Sequence, residues 1–105
     1  MCDIVRSEGG SSDENVLTVT VRVKYRDGKP VAGELVKMED DVAGDTYGGT
    51  SADGCLTIYE GTGTGCINHT LVLPNRPDVD AVDLGCNSMG RFERTFVVPG
   101  ELDGS

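Results

Sequence analysis

The sequence predicts an all-β protein, a sandwich of two sheets with about seven antiparallel strands and essentially no long helix. Apolar residues recur at every second position in several short stretches, as they do along strands that bury one face. The chain has fifteen glycines, and two Asp-Gly pairs, at 27–28 and 53–54, lie between such stretches as turn signals. No window shows the i, i+3, i+4, i+7 spacing of an amphipathic helix. Together these patterns favour two stacked sheets in one domain of 105 residues.

The first predicted strand covers residues 16–25, "VLTVTVRVKY". Its odd-numbered residues are apolar or aromatic and its even-numbered ones are mostly polar, so that one face is buried. The following segment "DGKPVAG", residues 27–33, is predicted to reverse the chain. Gly28 allows a positive φ, Pro30 restricts φ, and Gly33 permits a kink or bulge.

Six further strands are predicted between turn signals. They cover residues 35–39, 46–51, 55–59, 66–73, 79–84 and 91–98. The strand at 46–51 is an expected edge strand, because the Gly48-Gly49 pair weakens it. Pro74 ends the strand at 66–73, since proline has no N–H to donate.

Three parts of the chain are predicted: an arm over 1–15, a sandwich domain over 16–100 and a tail over 101–105. The arm is expected to be flexible because residues 7–15, "SEGGSSDEN", are small, polar and acidic. Its apolar tip contains Cys2, Ile4 and Val5, which are predicted to pack on the domain or on a neighbouring copy as an assembly tether.

The composition excludes some partners. Eighteen acidic and nine basic residues give a formal charge of −9, which repels nucleic acids and anionic membranes. The same surface is typical of a salt-loving source or simply of an acidic domain. No apolar run reaches the ~20 residues of a membrane span, so membrane insertion is not expected. The N-terminal residues also lack the pattern of a secretory signal, which favours either use without Sec export or a processed chain with a new Met1.

Two segments after the first alternating strand carry a family resemblance. Asp27 to Gly33 reads Asp-Gly-x-Pro-hydrophobic-small-Gly, and Thr50 to Ile58 reads "TSADGCLTI". In this order they resemble the carboxypeptidase regulatory-like domains, which belong with transthyretin-like and other immunoglobulin-like sandwiches. The resemblance covers about residues 16–60 and departs from the pattern at Glu34, where a small residue is usual. It implies an immunoglobulin-like fold and a mostly non-enzymatic module that spaces or attaches larger assemblies, with some members binding carbohydrate.

The histidine at position 69 is the only one in the chain. It alternates with Ile67 and Leu71, so it is predicted to lie in or beside the core and to be hydrogen-bonded there. No nucleophile motif accompanies it, and the protein is therefore not expected to be an enzyme.

The four cysteines, Cys2, Cys55, Cys66 and Cys86, are spaced too widely for the paired motifs of a zinc site. The preferred prediction is a Cys55–Cys66 disulfide, with Cys2–Cys86 as the lesser alternative, and either would indicate an oxidising compartment. A Cys₄ metal cluster or four reduced, buried thiols remain the other interpretations.

No cofactor or metal is predicted. Six aspartates offer oxygen ligands for calcium but lack the glycine and glutamate of a calcium loop, so a solvated acidic surface is favoured; they are Asp40, Asp41, Asp45, Asp78, Asp80 and Asp83. The loop "EGTGTG" lacks the lysine and the following helix of a phosphate site. Asn68-His69-Thr70 is a glycosylation sequon that matters only if the chain is exported.

The absence of recognisable chemistry predicts a non-enzymatic structural module on a larger assembly. A virion component is preferred, such as a capsid decoration, turret or tail protein displayed on the virion surface. The alternative is a cell-surface or extracellular adhesion or carbohydrate-binding module, or a filament subunit. The expected partners are subunits of a capsid, tail or filament, copies of the chain itself, or a host-surface glycan.

Overall fold

The computed structural model describes residues 1–6, 16–40, 44–61, 67–87 and 90–99. These residues form eight strands: β1 (Asp3–Arg6), β2 (Val16–Tyr25), β3 (Leu35–Asp40), β4 (Thr46–Gly49), β5 (Cys55–Gly61), β6 (Ile67–Val72), β7 (Val82–Asn87) and β8 (Gly90–Val98). They build two four-stranded sheets, with strand orders β1-β5-β2-β8 and β4-β3-β6-β7. The described ranges contain no helix, and hence none long and apolar enough to cross a membrane. The prediction of an all-β, two-sheet sandwich is confirmed.

Two strand pairs are parallel, which differs from the antiparallel arrangement expected throughout. β1 pairs in parallel with β5, and β8 pairs in parallel with β2. All four strands of the second sheet, together with β5, lie between β2 and β8 in the chain. This connection is long enough for the crossover that a parallel pair needs. The other four pairs of named strands are antiparallel.

The core lies between the sheets and follows the alternation in the sequence. In β2 the predicted inward residues Leu17, Val19, Val21 and Val23 are at most 1% exposed. In β3 the same alternation buries Val36 and Met38 and continues to Asp40, the last residue of the strand. The acidic side chain of Asp40 is buried because it lies on the same face of the strand as the apolar residues Val36 and Met38.

The segment "DGKPVAG" is a turn, as predicted. Gly28 has a φ of 95° and its N–H donates to the carbonyl of Tyr25, while Asp27 Oδ1 accepts from the N–H of Lys29 at 3.0 Å. Gly33 also has a positive φ, of 73°. These residues shape the connection from β2 to β3 and contribute to scaffold geometry.

The N-terminal residues belong to the sandwich, which corrects the predicted boundary at residue 16. β1 pairs with residues 56–59 of β5, and Val5 packs against the core. Of the two predicted roles of the apolar tip, packing on the domain is confirmed for Cys2 and Val5, whereas Ile4 is 67% exposed. Packing on a neighbouring copy stays a prediction. Residues 7–15 and the predicted tail at 101–105 lie outside the described ranges.

The disulfide pairing also differs from the prediction. Cys2 and Cys55 form a disulfide with a Cα–Cα distance of 4.6 Å, so the predicted Cys55–Cys66 bridge is wrong. Cys86 is disulfide-bonded as well. The Cys2–Cys55 bridge also excludes the lesser alternative Cys2–Cys86 and a Cys₄ metal cluster. The reason is the parallel pairing of β1 with β5, which brings Cys2 beside the first residue of β5. Cys66 lies outside the described residues.

Candidate functional site

Three ionisable side chains meet inside the sandwich: Asp40 at the end of β3, Glu60 near the end of β5 and His69 in β6. The side chains of Asp40 and His69 are 0% exposed, and that of Glu60 is 1% exposed. The prediction that His69 lies in the core and is hydrogen-bonded there is confirmed. We call these three residues the buried triad.

Strand register explains why the three side chains converge. Asp40 and His69 are directly paired across β3 and β6, so both lie on the inner face of one sheet. Glu60 comes from the opposite sheet, where it continues the inward alternation of Leu56 and Ile58 in β5. Sequence reasoning missed Glu60, although one further step of the alternation it used would have placed this residue inside.

The contacts of the triad centre on one ring nitrogen. His69 Nε2 lies 3.0 Å from Glu60 Oε2 and 3.4 Å from Asp40 Oδ2. The three potential ligand atoms of these residues all lie within 4.8 Å of one another. An imidazole nitrogen carries at most one hydrogen, so Nε2 directs a hydrogen bond to one of the two carboxylates at a time.

Burial dominates the electrostatics of Glu60. Removal from water raises the pKa of its carboxyl above the ordinary value, and Asp40 raises this pKa further, first through a hydrogen bond with Glu60 and then through its charge. The hydrogen bond from His69 acts in the opposite direction without reversing the shift. Folding therefore favours the protonated form of Glu60.

A pH-dependent stability difference follows from this shift. A raised pKa means that the folded protein holds the Glu60 proton more tightly than the unfolded chain does. The resulting stabilisation is complete below the unfolded pKa near 4.5 and is lost as the pH rises through the folded pKa. We expect Glu60→Gln, which cannot ionise, to become progressively more stable relative to the original chain as the pH rises from 4.5, in urea titrations with chelator present. A stability difference that stays constant with pH would contradict the raised pKa.

The aspartates considered for calcium do not assemble into a site within the described part of the chain. Asp45, Asp78, Asp80 and Asp83 are exposed, whereas Asp40 belongs to the buried triad. The Asp83 carboxylate accepts a hydrogen bond from the N–H of Gly85 at 2.9 Å. Asp41 and most of "EGTGTG" lie outside the described residues.

A third buried carboxylate, that of Glu34, forms a salt bridge with an arginine. Arg76 Nε donates to Glu34 Oε1 at 3.0 Å, and Glu34 is 7% exposed. The N–H of Glu34 donates to Thr50 Oγ1, whose hydroxyl donates in turn to the Val31 carbonyl. Glu34 therefore anchors the loop that contains Arg76 to the start of β3.

No protein-family model matches this chain, and no curated protein does. Solved structures share its fold. The dioxygenase domain of a dioxygenase and carbohydrate-binding protein fusion from Streptomyces sp. SirexAA-E superposes with a TM-score of 0.59 at 19% identity, covering 92% of this chain and 89% of that one.

Two further solved structures superpose at lower identity. A streptococcal ancillary pilin gives a TM-score of 0.57 at 12% identity, covering 83% of this chain and 33% of the pilin. Chlorocatechol 1,2-dioxygenase from Pseudomonas putida gives 0.56 at 7% identity, covering 92% of this chain and 65% of the enzyme. This chain thus spans less than two thirds of both proteins. At these identities the common property is the β-sandwich fold.

Proposed function

We propose that this chain is a non-enzymatic structural module of a protein assembly at the cell surface, such as a pilus or another filament. The observation that carries the proposal is the position of the buried triad. The chain's only histidine and its two carboxylate neighbours are at most 1% exposed, so a substrate has no access to them. General acid-base catalysis requires such groups within hydrogen-bond reach of a reacting molecule.

The accessible surface supports the same interpretation. A cleft of about 250 Å³ lies beside the first turn, and its ionisable lining residues are Arg22, Lys24 and Asp53. This lining contains no histidine and no cysteine, so it offers neither an imidazole base nor a thiol nucleophile. The likeness to dioxygenases is therefore assigned to the shared fold.

The strand β8 offers a surface for assembly. It has nine residues and lies at the end of its sheet, with β2 on one side. The other three strands at sheet ends are shorter, at four residues for β1 and β4 and six for β7. Charged residues occupy the first half of β8, whereas Thr95 to Val98 is uncharged and includes Val97, which is 50% exposed. An edge of this kind is a template for pairing with another strand, and we assign it to a second copy of the chain.

The covalent and family features agree with a surface module. The Cys2–Cys55 disulfide indicates an oxidising compartment such as the cell exterior. The proposal includes membership of the carboxypeptidase regulatory-like domains, because the two segments that carry the resemblance form the turn after β2 and the approach to β5. A pilin is among the proteins of similar fold, which favours a filament over the virion component preferred from the sequence.

Self-association provides the test. The charge of −9 makes copies repel at low salt, so we expect concentration-dependent association in sedimentation velocity that strengthens as salt is added. A lysine on a strand edge opposes pairing, so Val97→Lys should weaken the association by about tenfold. Ala81→Lys is the matched control, because it adds the same charge at an exposed position outside the strands.

A different result would favour a second candidate, a carbohydrate-binding or adhesion module. Tyr47 in β4 is 52% exposed and presents an aromatic side chain at the surface. A chain that stays monomeric at every concentration and salt level, and that binds a glycan array through Tyr47, would overturn the assembly proposal. Equal association of Val97→Lys and Ala81→Lys would refute the assignment to β8.

A further inference from the structure

We propose that the buried triad binds one divalent transition-metal ion, with Zn²⁺ as the best match, and that this ion ties the two sheets together. One imidazole nitrogen and two carboxylates are a ligand set that zinc accepts. Calcium and magnesium prefer sets made of oxygen alone. The inference is independent of the proposed assembly function.

The distances suit a shared central ion. Zinc bonds to nitrogen and oxygen ligands are about 2.0–2.2 Å long, so two ligands at a tetrahedral angle lie about 3.3–3.5 Å apart. The separations from His69 Nε2 are 3.4 Å to Asp40 Oδ2 and 3.0 Å to Glu60 Oε2. Small shifts of these side chains would place the three ligand atoms around one ion.

The hydrogen bonds of the triad do not reach both oxygens of Glu60. Two carboxylate oxygens face the same ring nitrogen, which carries at most one hydrogen. Within the described residues, Glu60 Oε1 is buried and has no hydrogen-bond partner. A buried acceptor without a donor is costly, and a cation bound among the three side chains would remove that cost.

Charge balance points the same way. With both carboxyls deprotonated, as metal binding requires, and with the imidazole neutral, the three ligands carry a total charge of −2, which a divalent cation cancels. The ligands come from β3 and β6 of one sheet and from β5 of the other, so a bound ion would link the sheets. Because the triad is sealed from solvent, the role assigned to the ion is structural.

The experiment uses the full chain without an affinity tag, with its disulfides oxidised. Since the site is sealed, the protein is refolded from denaturant with chelator, with Zn²⁺ or with Co²⁺, and is then passed through a desalting column. We expect one metal ion per chain, visible ligand-field bands for Co²⁺ and a higher unfolding temperature with Zn²⁺. His69 is the only imidazole, so its ring nitrogens in a nitrogen NMR spectrum report directly on coordination.

Two substitutions test the ligand assignment. Glu60→Gln and His69→Gln should each weaken Zn²⁺ binding by at least about 100-fold. Mutation of residues that only hydrogen-bond to metal ligands already lowers metal affinity by about 10–100-fold. Asp80→Asn removes an exposed carboxylate and is the matched control, so its Zn²⁺ affinity should not change. If His69→Gln fails to fold, Glu60→Gln and the NMR signals of the original chain decide the question.

Three outcomes would overturn the proposal. The first is a refolded chain that retains no metal. The second is Zn²⁺ binding that Glu60→Gln leaves unchanged. The third is a set of His69 ring signals that respond to pH but not to Zn²⁺, which would show that the triad holds only protons. None of these results bears on self-association through β8.

Discussion

Removing the Cys2–Cys55 disulfide is expected to lower the free energy of unfolding by about 4 kcal/mol. The two cysteines are 53 residues apart, and a cross-link of this span restricts the unfolded chain strongly. In the folded protein the same bond holds β1, which has only four residues, against β5. The measurement is a urea titration of the double variant Cys2→Ser/Cys55→Ser, which leaves no unpaired thiol from this bridge to exchange with other disulfides.

The exposed Ile4 supplies the control for this experiment. Ile4→Ala alters the same short strand, but the side chain is 67% exposed, so a change within about 0.5 kcal/mol is expected. If the double variant loses less than about 1 kcal/mol, the disulfide would not be a major stabilising element. β1 would then be a dispensable addition to its sheet.

Replacing the histidine of the buried triad should have an effect of similar size. In metal-free protein at neutral pH, His69→Leu is expected to cost about 3–5 kcal/mol, because it leaves Asp40 and Glu60 buried without their hydrogen-bonded partner. Leucine is apolar and fills a comparable volume, so the loss reports mainly on the stranded carboxylates. Urea titration with a chelator present measures it.

The three triad residues should also be strongly non-additive. Replacing all of them with apolar residues in Asp40→Leu/Glu60→Met/His69→Leu removes the two buried carboxyl groups together with the histidine. We expect the triple variant to recover at least half of the stability that His69→Leu loses, since apolar replacements of buried ionic groups are often neutral or stabilising. Losses that simply add across the three positions would contradict a coupled network.

Much of the fold could be predicted because the alternation of buried and exposed residues in a strand can be read from neighbouring residues in the sequence. In β2 each second residue from Leu17 to Val23 is buried as the period requires, and the Gly28 turn follows from backbone geometry. The same reasoning placed His69 inside, since it alternates with leucine and isoleucine. At the N-terminus it predicted only that the apolar tip packs on the domain or on a neighbouring copy, because the four residues of β1 are too few to show a strand period.

The triad shows where local reasoning ends. Asp40 was predicted to mark the end of a strand or to be part of an acidic surface, yet it is the last inward residue of β3. In the sequence, Glu60 was interpreted only as the first residue of the glycine-rich loop "EGTGTG". Neither position signals a site by itself, because the triad forms only when β5 in one sheet packs over β3 and β6 in the other.

The sequence by itself determined the strands, most of their inward faces and the turn after β2, because side-chain direction in a strand depends on neighbouring residues alone. The tertiary structure decided the partner of Cys55, the parallel pairs at both ends of the first sheet and the meeting of Asp40, Glu60 and His69. These features join residues far apart in the chain. Their proximity depends on which strands pair and which sheet faces stack, and the period of a single strand carries no information about either choice.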